Sequence, residues 1–131
     1  MLNKAVILHH PHSEGAAALA RQLDHEFRRR QVESAVSGVW APGAGDLLPG
    51  AGIVICIGGD GTVLRAARLA VKEAPPLLGI NMGRLGFLTD MSPRDFYNQF
   101  ERVLAEDWRV EERLMVRADL FNGDEAPREF H

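Results

Sequence analysis

Five consecutive residues of buried type, Ile53-Val54-Ile55-Cys56-Ile57, run straight into the turn Gly58-Gly59-Asp60-Gly61-Thr62. A mostly β-branched run without charge suits a parallel strand covered on both faces. Thr62 is placed to cap a helix, since Val63, Ala66, Ala67, Ala70 and Val71 recur at i, i+3, i+4, i+7 and i+8. A strand, a glycine turn and a helix start present backbone N–H groups without Cβ shielding, which favours a phosphate. Asp60 does not fit passive anion binding, because a carboxylate beside phosphates is repelled unless it binds Mg²⁺ or takes a proton from an attacking hydroxyl. The turn therefore points to phosphoryl transfer. It is not a P-loop, since no Lys precedes Thr62, and not G-x-G-x-x-G, since Leu64 stands where the last glycine belongs. An ordinary strand-to-helix turn, with glycines at positive φ and Asp60 in an Asx-turn, remains the plain alternative.

The rest of the chain alternates strand and helix. Ala5-Val6-Ile7-Leu8 forms a short buried strand, and Ser13 caps a helix that places Ala16, Leu19, Ala20, Leu23 and Phe27 on one face. Residues 32–36 give a second strand, and 38–52 a connection with one helical turn at Asp46-Leu47-Leu48. After Leu77-Leu78-Gly79-Ile80, Ser92-Pro93 opens a last helix with Phe96, Phe100, Val103 and Leu104 inward. This order predicts a three-layer α/β/α fold with a mainly parallel sheet and ligands outside the carboxyl ends of its strands. From Leu114 the pattern changes to period two, with Leu114, Val116, Ala118 and Leu120 on one face. Asn122-Gly123 then supplies a hairpin turn, and Pro127 marks an edge strand. The expected division is an α/β domain over residues 1–107 and, over 108–131, the beginning of a β-rich domain that is cut short.

Composition narrows the functional classes. The chain has 131 residues, 46% hydrophobic and 25% charged, with a net charge of −3, so it can close one core and carries no basic footprint for nucleic acid. Arg28-Arg29-Arg30 falls at a helix C-terminal end, where it complements the dipole and faces solvent. Cys56, the lone cysteine, reads as a small core residue. No signal-peptide pattern and no apolar stretch of membrane-spanning length occurs, so a soluble, cytoplasmic protein without a membrane role is expected. His9, His10 and His12 follow the first strand. Pro11 stiffens them, and they lack the further ligands of a structural metal site, so a phosphate-facing or solvent-exposed loop is the simpler reading.

A second segment, Asn81-Met82-Gly83-Arg84-Leu85-Gly86-Phe87-Leu88-Thr89-Asp90, follows the run ending at Ile80. Together with Gly58-Gly59-Asp60-Gly61-Thr62, it resembles the N-terminal half of the ATP-dependent NAD kinases, from Ala5 to about Val116. Related lipid kinases carry the first motif alone. A diacylglycerol or sphingosine kinase-like nucleotide-binding half, or a non-catalytic nucleotide-binding module, thus stands as the alternative. The resemblance implies transfer of the γ-phosphate of ATP to the 2′-hydroxyl of the adenosine ribose of NAD, giving NADP, with Asp60 as general base. It further implies that Asp60, Gly61, Leu64, Arg65 and Phe87 border the NAD pocket, Phe87 near the adenine. By the same resemblance, Gly58, Gly59 and Thr62 would face ATP phosphates and Mg²⁺ or another divalent cation. By the residues alone, Phe87 could equally be core. Polyphosphate as donor stays open, a homo-oligomer is implied, and no protein-bound metal site is assigned. The family continues into a β domain opening with an Asn-Asp or Asn-Glu pair, which does not occur before His131, so this half is expected to be inactive alone.

Overall fold

The computed structural model describes residues 1–84, 86–120 and 128–130. Four strands, β1 (Lys4–His9), β2 (Glu33–Gly38), β3 (Ile53–Gly58) and β4 (Leu77–Asn81), form a parallel sheet in the order β2-β1-β3-β4. Helices α1 (Glu14–Arg29), α2 (Asp60–Ala70), α3 (Pro93–Asn98) and α4 (Phe100–Leu104) join them, with a 3₁₀ turn at Ala44–Leu47. The mixed α/β architecture with a parallel sheet is thus the one expected. The strands read as solid apolar runs because successive side chains enter two different cores. Ala5, Ile7, Ile53, Ile55, Ile57 and Ile80 pack with α1, α3 and α4 on one face. Val6, Leu8, Val54 and Cys56 pack with α2 and the 3₁₀ turn on the other.

Local chemistry explains most of the boundaries. The Ser13 hydroxyl accepts the Ala16 N–H at 3.1 Å, and Ala16, Leu19, Ala20, Leu23 and Phe27 are all buried. Arg28 pairs with Asp24, Arg29 with Glu26, and Arg30 with Glu101 of α4, so the basic cluster is spent on ion pairs at the helix end. Ser92 caps α3, whose first turn holds Pro93, and Phe96, Phe100, Val103 and Leu104 face the core. The expected single helix is broken at Gln99 into α3 and α4.

Two expectations are corrected. Helix α2 starts at Asp60 with Gly59 as its cap, so Thr62 lies inside the first turn and does not cap it. The helix ends at Ala70, which leaves Val71 half exposed rather than on the buried face. In the tail, strand β5 (Ala118–Leu120) pairs antiparallel with β6 (Arg128–Phe130), four residues later than the expected start at Leu114. Leu114 is 99% and Val116 79% exposed, so the period-two pattern is not matched by burial there. The Asn122-Gly123 turn and Pro127 lie outside the described residues. No helix among the described residues is long and apolar enough to cross a membrane.

Candidate functional site

The chain steps from β1 outward to β2, then crosses to β3 on the other side of β1, so the sheet's switch point lies between β1 and β3. Their carboxyl ends are tied directly, with the His10 N–H donating to the Ile57 carbonyl at 2.9 Å. The Gly58–Thr62 turn and the histidine loop therefore meet at one crevice. Within the turn the glycines differ. A Cβ at Gly58 would sit 2.5 Å from Thr62 Oγ1 and 3.2 Å from the His10 Cβ, so packing demands glycine. A Cβ at Gly59 or Gly61 would meet nothing within 4 Å, and neither residue has positive φ. Those two glycines leave backbone open without any need of their own fold, which is what close approach of a ligand requires. Thr62 is buried, and its hydroxyl has no hydrogen-bond partner among the described residues. Such an orphaned hydroxyl at a helix start fits a phosphate oxygen or a cation held by one.

Asp60 binds the two motifs together. Its carboxylate accepts the Phe87 N–H at 3.1 Å and the Leu88 N–H at 2.9 Å. Gly86 packs so closely that any Cβ there would overlap the carboxylate. The loop is also held from β4. Thr89 accepts from the Gly86 N–H at 3.1 Å, and the Asp90 carboxylate accepts from the Gly79 N–H at 2.8 Å. With two of about four acceptor positions filled, one lone pair on each Asp60 oxygen remains for an incoming proton. Phe87 is presented outward, 96% exposed, and Leu64 is 57% exposed, so both stand on the open surface rather than in the core.

Arg65 lies in the second turn of α2, which begins at Asp60. Its guanidinium rests 4.5 Å from the centroid of the Trp40 ring, and its Nε is buried without a partner among the described residues. Trp40, in the loop after β2, has no place in the sequence expectations, though it stands just past the carboxyl end of a strand. It lines a cavity of about 480 Å³ with His9, His10, Pro11, His12, Gly38 and Ala41. A second concavity of about 510 Å³ lies between α1 and Tyr97 and touches neither motif. Among the described residues no cluster of three His, Cys, Asp or Glu could hold a metal ion. Burial pushes the Cys56 thiol up to about 12, with the Asp90 charge adding to it, so Cys56 is a packed core residue and not a nucleophile.

A parallel sheet covered by helices on both faces, with a glycine turn and a clamped second loop at the carboxyl ends of its strands, defines a doubly wound α/β domain. The chain belongs to the ATP-NAD kinase N-terminal domain family, whose profile matches residues 13–108. It is 33% identical over 129 residues to an NAD kinase of Dehalococcoides mccartyi, covering 96% of this chain and 45% of that one. It is 46% identical over 79 residues to the NAD kinase of Heliobacterium modesticaldum, covering 60% of this chain and 28% of that one. The fold is also similar to yeast NADH kinase, solved in complex with NADH, with a TM-score of 0.66, 16% identity, and coverage of 98% of this chain and 46% of that one. The chain thus spans less than half the length of these relatives.

Proposed function

We propose that this chain is the nucleotide-binding half of an NAD kinase, transferring the γ-phosphate of ATP to the 2′-hydroxyl of the adenosine ribose of NAD. The observation that carries the reading is the Asp60 carboxylate, fixed by two backbone N–H groups between the phosphate-type turn and the Gly86–Thr89 loop. Asp60 takes the hydroxyl proton as the ribose oxygen forms its bond to the γ-phosphorus, and ADP leaves with the electrons of the broken P–O bond. Gly59 and Gly61 admit the phosphates to bare backbone, and the Thr62 hydroxyl is the side chain suited to a donor-bound Mg²⁺, which supplies charge neutralisation. Gly61, Leu64, Arg65 and the exposed Phe87 would form the wall against the dinucleotide. The relatives' names support NAD or NADH as acceptor. Residues 108–131 are proposed as the start of a second, β-rich domain, a division supported by the separate antiparallel sheet of β5 and β6. The reading places the enzyme in the cytoplasm and favours an oligomer.

The test is NADP formation from ATP and NAD by a polypeptide carrying residues 1–131 with a complete second domain. Asp60→Asn should lower kcat by about 10² or more, the scale of general base catalysis. An unchanged kcat would remove Asp60 from this role. The clamp complicates the variant, since an Asn amide NH₂ would face an N–H that now donates to a carboxylate oxygen. Hydrogen exchange at the Phe87 and Leu88 amides separates loss of the base from loosening of the loop.

A further inference from the structure

We infer that Thr89 is a positioning residue for the general base: its hydroxyl holds the Gly86 N–H, keeps that amide off the Asp60 carboxylate, and so leaves open the lone pair that must receive the ribose proton. The inference rests on the reading of Asp60 as the base. Gly86, Phe87 and Leu88 offer three successive backbone N–H groups beside one carboxylate. Two of them donate to Asp60, that of Phe87 to Oδ2 at 3.1 Å and that of Leu88 to Oδ1 at 2.9 Å. The third, of Gly86, donates instead to Thr89 Oγ1 at 3.1 Å. Gly86 is nevertheless the residue packed so closely on the carboxylate that a Cβ there would overlap it. It lies within reach of Asp60, and what engages its N–H is the Thr89 oxygen. A third amide on Asp60 would occupy one of the two remaining of about four acceptor positions and pull the carboxylate toward the loop.

Thr89 is itself fixed where it can do this. It is buried, and its backbone runs directly against β4, where a Cβ at Gly79 would lie 3.0 Å from the Leu88 carbonyl oxygen and 3.0 Å from the Thr89 Cα. The Gly79 N–H donates to the Asp90 carboxylate at 2.8 Å, and the Asp90 and Met91 N–H groups donate back to the Gly79 carbonyl at 2.8 and 3.2 Å. The sheet therefore anchors Thr89, Thr89 anchors Gly86, and the two amides between them are aimed at Asp60. Val has nearly the shape of Thr but lacks the acceptor oxygen, so it separates packing from the hydrogen bond. A threonine that only packs affects folding. One that orients the carboxylate affects the chemical step, because proton transfer suffers from a misplaced base while ground-state binding of the two substrates rests on other groups.

The experiment is steady-state kinetics of NADP formation by the polypeptide carrying residues 1–131 with a complete second domain, with circular dichroism confirming that each variant is folded. Thr89→Val should lower kcat about tenfold or more, between the scale of one lost hydrogen bond and the about 10²-fold of an ångström of misplacement, and leave the KM for ATP and for NAD nearly unchanged. Thr89→Ser keeps the oxygen and should restore most of the rate, whereas Thr89→Ala should behave as Thr89→Val does. In a background of Asp60→Asn, Thr89→Val should cost nothing further, because a residue that acts through Asp60 has no base left to orient. A kcat indifferent to Thr89→Val and Thr89→Ala, or a loss that multiplies with that of Asp60→Asn, would overturn the role of Thr89 alone. A wild type that forms no NADP, or Asp60→Asn with full kcat, would overturn the reading of the site and this inference with it.

Discussion

At the residue scale, the glycines of the turn separate what the fold needs from what a ligand needs. Gly58 is walled by Thr62 and His10, so Gly58→Ala forces atoms into occupied space and should destabilise the chain by about 1–3 kcal/mol, read from a denaturation curve. Gly59 has an ordinary extended backbone, φ −118° and ψ −164°, and open space around it. Gly59→Ala should therefore leave the denaturation midpoint intact or slightly raised while weakening the binding of ATP phosphates. If Gly59→Ala bound ATP as tightly as the wild type, Gly59 would be an ordinary turn residue. The first motif alone does not distinguish these two roles, since the three glycines are alike in sequence and the neighbours of Gly58 come from the loop after β1 and from α2.

At the scale of the elements, short-range chemistry sets the helices. Ser13 satisfies one orphan N–H of α1, and Ser13→Ala should cost about 1 kcal/mol, visible as a lower denaturation midpoint with unchanged slope. The cap of α2 is different. Thr62 looks like a cap in the sequence because Ser and Thr commonly are, yet the helix reaches back to Asp60, with the Thr62 N–H at 3.1 Å and the Val63 N–H at 3.3 Å from the Gly59 carbonyl. That start puts the Asp60 carboxylate in the first turn, where the helix dipole favours a negative charge, and leaves the Thr62 hydroxyl unused by the fold. The three-residue shift of the cap, from Thr62 to Gly59, also moves Arg65 to the second turn, where it reaches the Trp40 ring.

At the scale of the whole molecule, the sheet is a dry partition between two cores, and Cys56 tests how dry it is. Its thiol is raised from the ordinary 9.0 to about 12, first by burial and then by the Asp90 charge. A folded-state value above the unfolded one means that this contribution to stability is complete below pH 9.0 and is lost as pH rises toward 12, because the unfolded thiol ionises first. Wild-type stability should fall more steeply than that of Cys56→Ala across this window, with the two curves parallel below it. Equal slopes would show that water reaches the thiol. In the same molecule Phe27 and Phe100, with ring centroids 5.2 Å apart, join α1 to α4 beneath the sheet. The Arg30–Glu101 pair crosses the same junction at the surface.

Periodicity, caps and turn chemistry act over a few residues, which is why α1, the solid strands and both motifs were legible in the amino-acid order. Leu19, Leu23 and Phe27 must share a face of any helix that Ser13 starts, and Ile53–Ile57 must be covered on both sides. Even the tail announced its change from parallel to antiparallel pairing, although its start at Leu114 was misplaced because alternation does not say which residues find a partner strand. What only the tertiary structure decided lies between residues far apart in the chain. The clamp of Asp60 on the amides of Phe87 and Leu88 depends on β4 lying beside β3 so that the following loop folds back over α2. The cavity of His9, His10, His12 and Trp40 depends on β2 flanking β1, and the contact of Arg65 with Trp40 depends on the loop after β2 reaching across to α2, which packs on β3. The sequence by itself determined the elements and the chemistry each carries. Their meeting at one crevice follows from the strand order, which hydrophobic patterning leaves open because every buried parallel strand looks alike.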